Sequence, residues 1–290
     1  MITEFNVTTK DSSPYSIVAG DDHSLWFTQN KGNKIGKITR QGNIIEFSVP
    51  TKNAGLSVIS KGKNELWFTE TEGNKIGKIN YEGTIEEFAI ENKDCGVLGI
   101  AYNHIDHSVW FTQMKANKIG RFDSNMNYYE FEIPIQNSFP SFITVDHFEN
   151  IWFTLNQSNS IGKLDKYGNF TEIQIPTQNS GPVGICVGPQ YEIWFVQILG
   201  NKIGKINSKD KVIEYELPTP NSKPHAINYT SGDKLWFSEW AANKIGSIDI
   251  NGKITEYNLP TENSEPHGIA INNNEIWIAL ECNKIAKFQI

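Results

Sequence analysis

Seven tryptophans recur along this chain at a nearly constant spacing of 41 to 43 residues. They are Trp26, Trp67, Trp110, Trp152, Trp194, Trp236 and Trp277. A repeat of about 40 residues is typical of solenoids and propellers, in which every repeat is one small supersecondary unit. The repeat therefore limits this chain to an architecture built from seven similar units.

Each repeat reads as four short strands, which we call A to D. Strand A precedes the tryptophan, strand B is the WFT-type run, strand C is the NKIGKI segment and strand D is an ITEYNLP-type run. Gly, Asn and Pro fill the gaps, and no segment has helical periodicity. Four strands in about 42 residues is the pattern of a propeller blade. We predict an all-β, seven-bladed propeller of antiparallel strands that forms one domain over residues 1–290.

The two ends of the chain complement each other. The chain begins with ITEFN, which matches strand D of the other repeats, and the last repeat stops after strand C at IAKFQI. Residues 2–7 can therefore supply the missing strand of blade 7. Because closure of the ring removes open sheet edges, we expect the N-terminal strand to complete the last blade.

Composition and charge exclude several classes of function and location. The net charge of −7 argues against a nucleic-acid partner, and no apolar run is long enough for a membrane span. The three cysteines are widely spaced and form neither a disulfide framework nor a Cys-x-x-Cys motif. The first residues lack a basic segment followed by an apolar one, which is the pattern of a secretory signal. We expect a cytoplasmic, monomeric protein.

Strand direction places the ends of all D–A linkers around one mouth of the central channel. Two residues before the strand-A isoleucine, the seven blades carry Tyr15, Ser57, Leu98, Ser141, Val183, His225 and His267. Two residues earlier they carry Ser13, Gly55, Gly96, Phe139, Gly181, Lys223 and Glu265. Imidazoles, a phenol and a carboxylate therefore gather in blades 6, 7 and 1, whereas the other four histidines fall in A–B connections on the opposite face.

Blade 7 adds a second acid. Its B–C loop is one residue shorter than in the other blades, which puts Glu281 where no other blade has an acid. Glu265 and Glu281 suit a hard divalent cation such as Mg²⁺ better than zinc. A neutral imidazole beside such an ion can act as general base.

Structural interpretations exist for the same residues. Each histidine could be a hydrogen-bonded structural residue. Glu281 could pair with Lys284, and Glu70 and Glu239 could be polar groups on the rim.

The repeated WFT(E/Q) and NKIG(K/R)I segments, together with KPHAI, EPHGI and ALEC, closely resemble the virginiamycin B lyase family over the whole chain. The resemblance implies an antibiotic-resistance enzyme that linearises type B streptogramins, which are cyclic depsipeptides, by Mg²⁺-dependent elimination at the ring ester. It implies Glu265 and Glu281 as metal ligands and His267 as general base. It also implies that His225 and Tyr15 contact the substrate.

Two other functions remain open from the residues. A propeller lactone hydrolase would use the metal to activate water. A non-catalytic propeller would bind a peptide or protein on the same face.

Overall fold

The computed structural model describes residues 2–229 and 231–290, and within them the chain forms 28 strands in seven antiparallel four-stranded sheets. The prediction of a seven-bladed β-propeller is confirmed. Strands A to D of each blade pair in chain order, and the first strands of neighbouring blades contact one another around the ring. In this described part, no helix is long and apolar enough to cross a membrane.

The strands of the first four blades are as follows. Blade 1 contains β2 (Pro14–Ala19), β3 (Leu25–Gln29), β4 (Lys34–Ile38) and β5 (Ile44–Ser48). Blade 2 contains β6 (Leu56–Lys61), β7 (Glu65–Glu70), β8 (Lys75–Asn80) and β9 (Ile85–Ala89). Blade 3 contains β10 (Val97–Tyr102), β11 (Val109–Gln113), β12 (Lys118–Phe122) and β13 (Tyr128–Glu132). Blade 4 contains β14 (Pro140–Val145), β15 (Ile151–Leu155), β16 (Ser160–Leu164) and β17 (Phe170–Gln174).

The remaining strands complete the ring. Blade 5 contains β18 (Pro182–Val187), β19 (Ile193–Gln197), β20 (Lys202–Ile206) and β21 (Val212–Glu216), with a short 3₁₀ turn at Pro189–Tyr191. Blade 6 contains β22 (Pro224–Asn228), β23 (Lys234–Glu239), β24 (Lys244–Asp249) and β25 (Ile254–Asn258). Blade 7 contains β26 (Pro266–Asn272), β27 (Glu275–Leu280) and β28 (Lys284–Gln289), and its fourth strand is β1 (Ile2–Asn6).

Strand β1 joins the two ends of the chain, as the sequence predicts. It pairs with β28 from Ile2 opposite Phe288 to Asn6 opposite Lys284. The Lys284 ammonium donates a hydrogen bond to Glu4 of β1 at 2.9 Å. The pairing of Lys284 with Glu281 that the sequence left open is therefore wrong, because the N-terminal strand supplies the partner.

The repeated motifs pack the blades against one another. The seven repeat tryptophans are at most 6% exposed. In blade 3, a Cβ on Gly120 would lie only 2.2 Å from the ring of Phe111. The glycine of NKIG is therefore required by the phenylalanine of WFT. Blade 7 is the converse case. Ile278 replaces the phenylalanine there, and the residue paired with it is Ala286 instead of glycine.

The asparagine of NKIG anchors the linker to the next blade. Asn159 has a left-handed backbone (φ 58°), and its amide donates to the carbonyls of Ile175 and Thr177 at 3.2 and 2.8 Å. Its side-chain oxygen accepts the backbone N–H and the hydroxyl of Ser180 at 2.6 and 2.7 Å. Asparagine tolerates the left-handed region better than other non-glycine residues. One side chain therefore fixes three points of the linker.

We expect Asn159→Ala to destabilise the fold by about 2–4 kcal/mol, because it removes these hydrogen bonds and places alanine in a left-handed backbone. Asn159→Gly should cost about 1 kcal/mol less, since glycine accepts that backbone without strain. Urea unfolding of the two variants measures the difference. Equal losses would contradict the backbone contribution.

Candidate active site

Three aromatic side chains meet at the mouth formed by blades 6, 7 and 1. Tyr15 lies on β2, His225 on β22 and His267 on β26, each at the second residue of the innermost strand of its blade. The ring centroids of His225 and His267 are 4.3 Å apart, and those of Tyr15 and His267 are 4.6 Å apart. The Tyr15 hydroxyl lies 3.5 Å from Nε2 of His225. Residues at the same position of three neighbouring repeats therefore lie in contact with one another at the mouth of the channel.

The two carboxylates lie beside this cluster. Oε1 of Glu281 is 3.3 Å from Nε2 of His267 and 3.4 Å from the hydroxyl of Ser13. The backbone N–H of Glu281 donates to the carbonyl of Glu265 at 3.2 Å, which fixes the two loops against each other. The structure therefore brings all five residues singled out in the sequence to one place. Their roles stay predictions.

The backbone at Glu265 is left-handed (φ 49°). Three of the other blades have glycine at this point of the linker, namely Gly55, Gly96 and Gly181. A residue with a Cβ is strained in this region, whereas glycine is not. Ser13, Phe139 and Lys223 adopt the same left-handed backbone in the remaining blades, so this conformation belongs to the linker and is shared by all seven blades.

The acids and the imidazole influence one another. The hydrogen bond with His267 lowers the pKa of Glu281 to about 2. Interaction with the Glu281 carboxyl group raises the pKa of Glu265 above its ordinary value, with burial as the second cause. The same interaction with Glu265 lowers the pKa of Glu281, so the pair favours one ionised and one protonated carboxyl group.

The other two members of the cluster are held in their neutral forms. Burial lowers the pKa of His225 well below its ordinary value, and the neighbouring His267 lowers it further. Burial raises the pKa of the Tyr15 phenol, and the charge of Glu281 raises it further. At neutral pH the site therefore contains an uncharged imidazole and a protonated phenol.

A metal would rest on few protein ligands here. Among residues 2–229 and 231–290, no group of three or more His, Cys, Asp and Glu side chains converges closely enough to hold an ion. The Glu265 and Glu281 pair supplies only oxygen. That set matches Mg²⁺, which is commonly held by one or two carboxylates and keeps several waters.

Sequence reasoning missed two aromatic residues of this mouth. The centroid of Trp240 lies 6.2 Å from that of His267, and Phe142 lies 5.6 Å from His225. The Lys223 ammonium lies 5.2 Å from the centre of the Trp240 ring. Trp240 is the eighth tryptophan and occupies the register position of Glu281 one blade earlier. A comparison of that position across the blades would have found it.

The sequence interpretation of Glu70 and Glu239 as rim groups is wrong. Both side chains are fully buried at the ends of β7 and β23. They lie beneath the linkers and not at the surface of the mouth, beside strand D of the same blade and the linker that enters that blade.

Sequence comparison matches residues 1–288 to the virginiamycin B lyase family. The virginiamycin B lyase of Staphylococcus aureus is 42% identical over 50 residues, which is 17% of this chain and 17% of that protein. The enzyme of Bacillus licheniformis is 44% identical over 43 residues, or 15% of each chain. These local matches span less than a fifth of either relative.

Solved structures match over nearly the full length. A streptogramin B lyase is 42% identical, with a TM-score of 0.95 over 99% of this chain and 96% of that one. Selenomethionine-substituted virginiamycin B lyase from Staphylococcus aureus is 42% identical, with a TM-score of 0.96 over 100% and 99%. A catalytically inactive histidine-to-alanine variant of that enzyme, solved with quinupristin, matches with the same values. The chain belongs to the virginiamycin B lyase family.

Proposed function

We propose that this protein linearises type B streptogramins by Mg²⁺-dependent elimination at the ring ester. The observation that carries the proposal is the meeting of His267, Glu281 and Glu265 at one mouth of a propeller of this family. A structural relative has been solved with quinupristin, and that relative is inactive after one histidine is changed to alanine. Both facts support a streptogramin substrate and an essential histidine.

We assign His267 as the general base. Nε2 of the ring lies 3.3 Å from Oε1 of Glu281, so the carboxylate holds the imidazole at the mouth. The imidazole of His267 would remove the α-proton of the threonine residue in the depsipeptide ring. The ester oxygen then leaves the β-carbon as part of a carboxylate, and the electron pair of the broken C–H bond forms the new double bond.

Glu281 has a second task in this proposal. Its lowered pKa keeps it ionised, so its negative charge stabilises the imidazolium that forms on His267. The carboxylate also holds the imidazole ring in place through the 3.3 Å contact with Nε2.

We assign Tyr15 and His225 to the substrate. The raised pKa of Tyr15 keeps the phenol protonated, so its hydroxyl can donate a hydrogen bond to the departing carboxylate. The lowered pKa of His225 keeps the imidazole neutral, which avoids a second positive charge beside His267. Either residue can orient the ester group before the proton is removed.

Glu265 and Glu281 are the residues that would hold Mg²⁺. A hydrogen bond with Glu281 raises the pKa of Glu265, so the two carboxyl groups are close enough to share a proton, and a divalent cation could replace that proton. When bound, Mg²⁺ supplies positive charge that polarises the substrate carbonyl and makes the α-proton more acidic.

Incubation of the purified protein with a type B streptogramin tests the proposal. We expect a linear product in the presence of Mg²⁺, no product with excess chelator, and recovery after Mg²⁺ is added back. A substrate that stays cyclic with Mg²⁺ present would show that the proposal is wrong.

We expect Glu281→Gln and Glu265→Gln each to raise the Mg²⁺ concentration for half-maximal binding by about tenfold or more, because each removes one of the two charged ligands. The shift of the melting temperature with added Mg²⁺ measures this binding without substrate. Glu262→Gln, an exposed acid on the same linker, is the matched control. If the two site variants responded to Mg²⁺ as the control does, the metal assignment would be wrong.

A further inference from the structure

A repeated polar network holds each linker to the strands beside it. In blade 6, Glu256 accepts the backbone N–H and the hydroxyl of Thr219 at 3.0 and 2.6 Å. Lys244 donates to the same carboxylate at 2.9 Å. The strand-D glutamate is therefore an ionised acceptor that several donors share.

The last residue of strand B adds one more donor in three blades, where it is glutamine. Its amide nitrogen donates to the strand-D glutamate in each case: Gln29 to Glu46 at 3.0 Å, Gln113 to Glu130 at 3.1 Å, and Gln197 to Glu214 at 2.9 Å. The other amide atom, the side-chain oxygen, is buried and has no partner in the described residues. A side chain at this position can therefore donate a hydrogen bond to the strand-D glutamate, but its accepting oxygen finds no hydrogen-bond donor.

Blades 2 and 6 place glutamate at this position. Glu70 and Glu239 have the same strand register as the glutamines, with Glu239 opposite Lys244 as Gln197 is opposite Lys202. Both side chains are fully buried, and neither carboxylate oxygen of either residue has a hydrogen-bond partner among residues 2–229 and 231–290. An ionised carboxylate only accepts hydrogen bonds. Only a protonated carboxyl group can replace the glutamine amide.

We propose that Glu239 is a positioning residue of the active site, which works in its protonated form and donates a hydrogen bond to Glu256. Glu239 pairs in register with Pro224, the residue before His225. The backbone N–H of Trp240, the next residue, donates to the carbonyl of Lys223 at 3.1 Å. Ionisation of Glu239 therefore adds a buried negative charge, next to that of Glu256, directly beneath the linker that carries His225. The catalytic consequence rests on the proposed function, whereas the protonation does not.

The charges around Glu239 agree with this assignment. Burial, and then the charge of Glu256 on β25, raise the pKa of Glu239 to about 7. Lys244 on β24 opposes this shift, whereas the nearby hydroxyl of Ser222 in the linker donates its hydrogen bond to Asn201 at 2.9 Å. The proton is therefore held at slightly acid pH and lost above neutrality.

Glu70 in blade 2 is a built-in control. Burial, and then the charge of Glu87, raise its pKa to about 7 as well, and Lys75 faces it as Lys244 faces Glu239. Blade 2 supplies none of the proposed site residues. The same ionisation should therefore affect stability in both blades and the site only in blade 6.

We expect Glu70→Gln to raise the urea midpoint of unfolding at about pH 8.5 and to leave it nearly unchanged at about pH 4.5. The folded carboxyl group has a pKa of about 7, against an ordinary value of 4.5. As the pH rises through this window, the folded protein must give up a proton that it binds more tightly than the unfolded chain, so wild-type stability falls. Glutamine has no such proton. An equal midpoint shift at both pH values would contradict the ionisation.

Carboxyl NMR of the full-length protein labelled with ¹³C at glutamate Cδ tests the protonation directly. We expect Glu239→Gln to abolish one titration with a midpoint near 7, and Glu70→Gln to abolish another. If neither variant removed a titration above about pH 6, the proposal would be overturned. Both variants should fold, because three blades already have glutamine at this position.

The positioning role is tested by activity and by fluorescence. We expect kcat/KM of the wild type and of Glu70→Gln to fall more steeply above neutral pH than that of Glu239→Gln. A pH-dependent change in tryptophan emission should likewise disappear in Glu239→Gln and in Trp240→Phe, and persist in Glu70→Gln. Identical pH profiles in all proteins would refute the positioning role. Absence of turnover in the wild type would refute the proposed function, while NMR and fluorescence still decide this inference.

Discussion

We expect replacement of His267 with alanine to lower kcat for the proposed ring opening by about 10²- to 10⁴-fold, because the variant lacks the group to which we assign removal of the α-proton. The side chain is 10% exposed, and its only side-chain polar contact in the described residues is Glu281 at 3.3 Å. Steady-state turnover of a type B streptogramin measures the loss. The melting temperature checks that the variant remains folded.

Replacements of two other histidines serve as controls for this experiment. His147→Ala alters an imidazole that stacks on Phe148 and Tyr191 in the A–B connections of the opposite face, and it should leave kcat unchanged. His225→Ala should raise KM or lower kcat by a smaller factor than His267→Ala, since we assign it to binding. A His267→Ala protein that turned over at a near-normal rate would remove the base from the mechanism.

Removal of residues 1–8 destabilises the protein by more than about 4 kcal/mol, because it deletes one strand of blade 7 and reopens the ring. The loss includes the five-residue pairing of β1 with β28 and the stacking of Phe5 on Trp277 at 5.9 Å. The truncation also removes Val7, a buried residue that is 4% exposed, and leaves the apolar side chains around it open to solvent. In a chain of this size the melting temperature should fall by about 6 °C or more.

Thr3→Ala is the control for this truncation. Thr3 lies in the same strand with an exposed side chain, so its replacement keeps the backbone pairing and should shift the melting temperature very little. If the truncated protein melted at the wild-type temperature, the closure would have no energetic importance.

Much of the molecule can be predicted because it repeats. The spacing of the tryptophans gives the number of blades, and the ITEFN segment gives the closure that β1 and β28 display. The register comparison selects His267, His225 and Tyr15 without coordinates. This succeeds because equivalent positions of a symmetric ring lie at the same distance from its axis.

What the sequence could not predict depends on contacts between strands that are distant in sequence. Glu239 is buried because the linker and strand D cover it. A comparison of strand-B residues alone contains no information about these two neighbouring segments. The partner of Lys284 comes from the opposite end of the chain. Trp240 reaches the mouth from a B–C loop, and its approach to His267 depends on the loop conformation.

The mass of the product tests the central claim most directly. Elimination driven by proton removal at the α-carbon changes no atom count, so the linear product must have the same mass as the cyclic streptogramin and contain a carbon–carbon double bond. A product heavier by one water would mean that the same mouth activates water, and it would contradict the role that we give to His267.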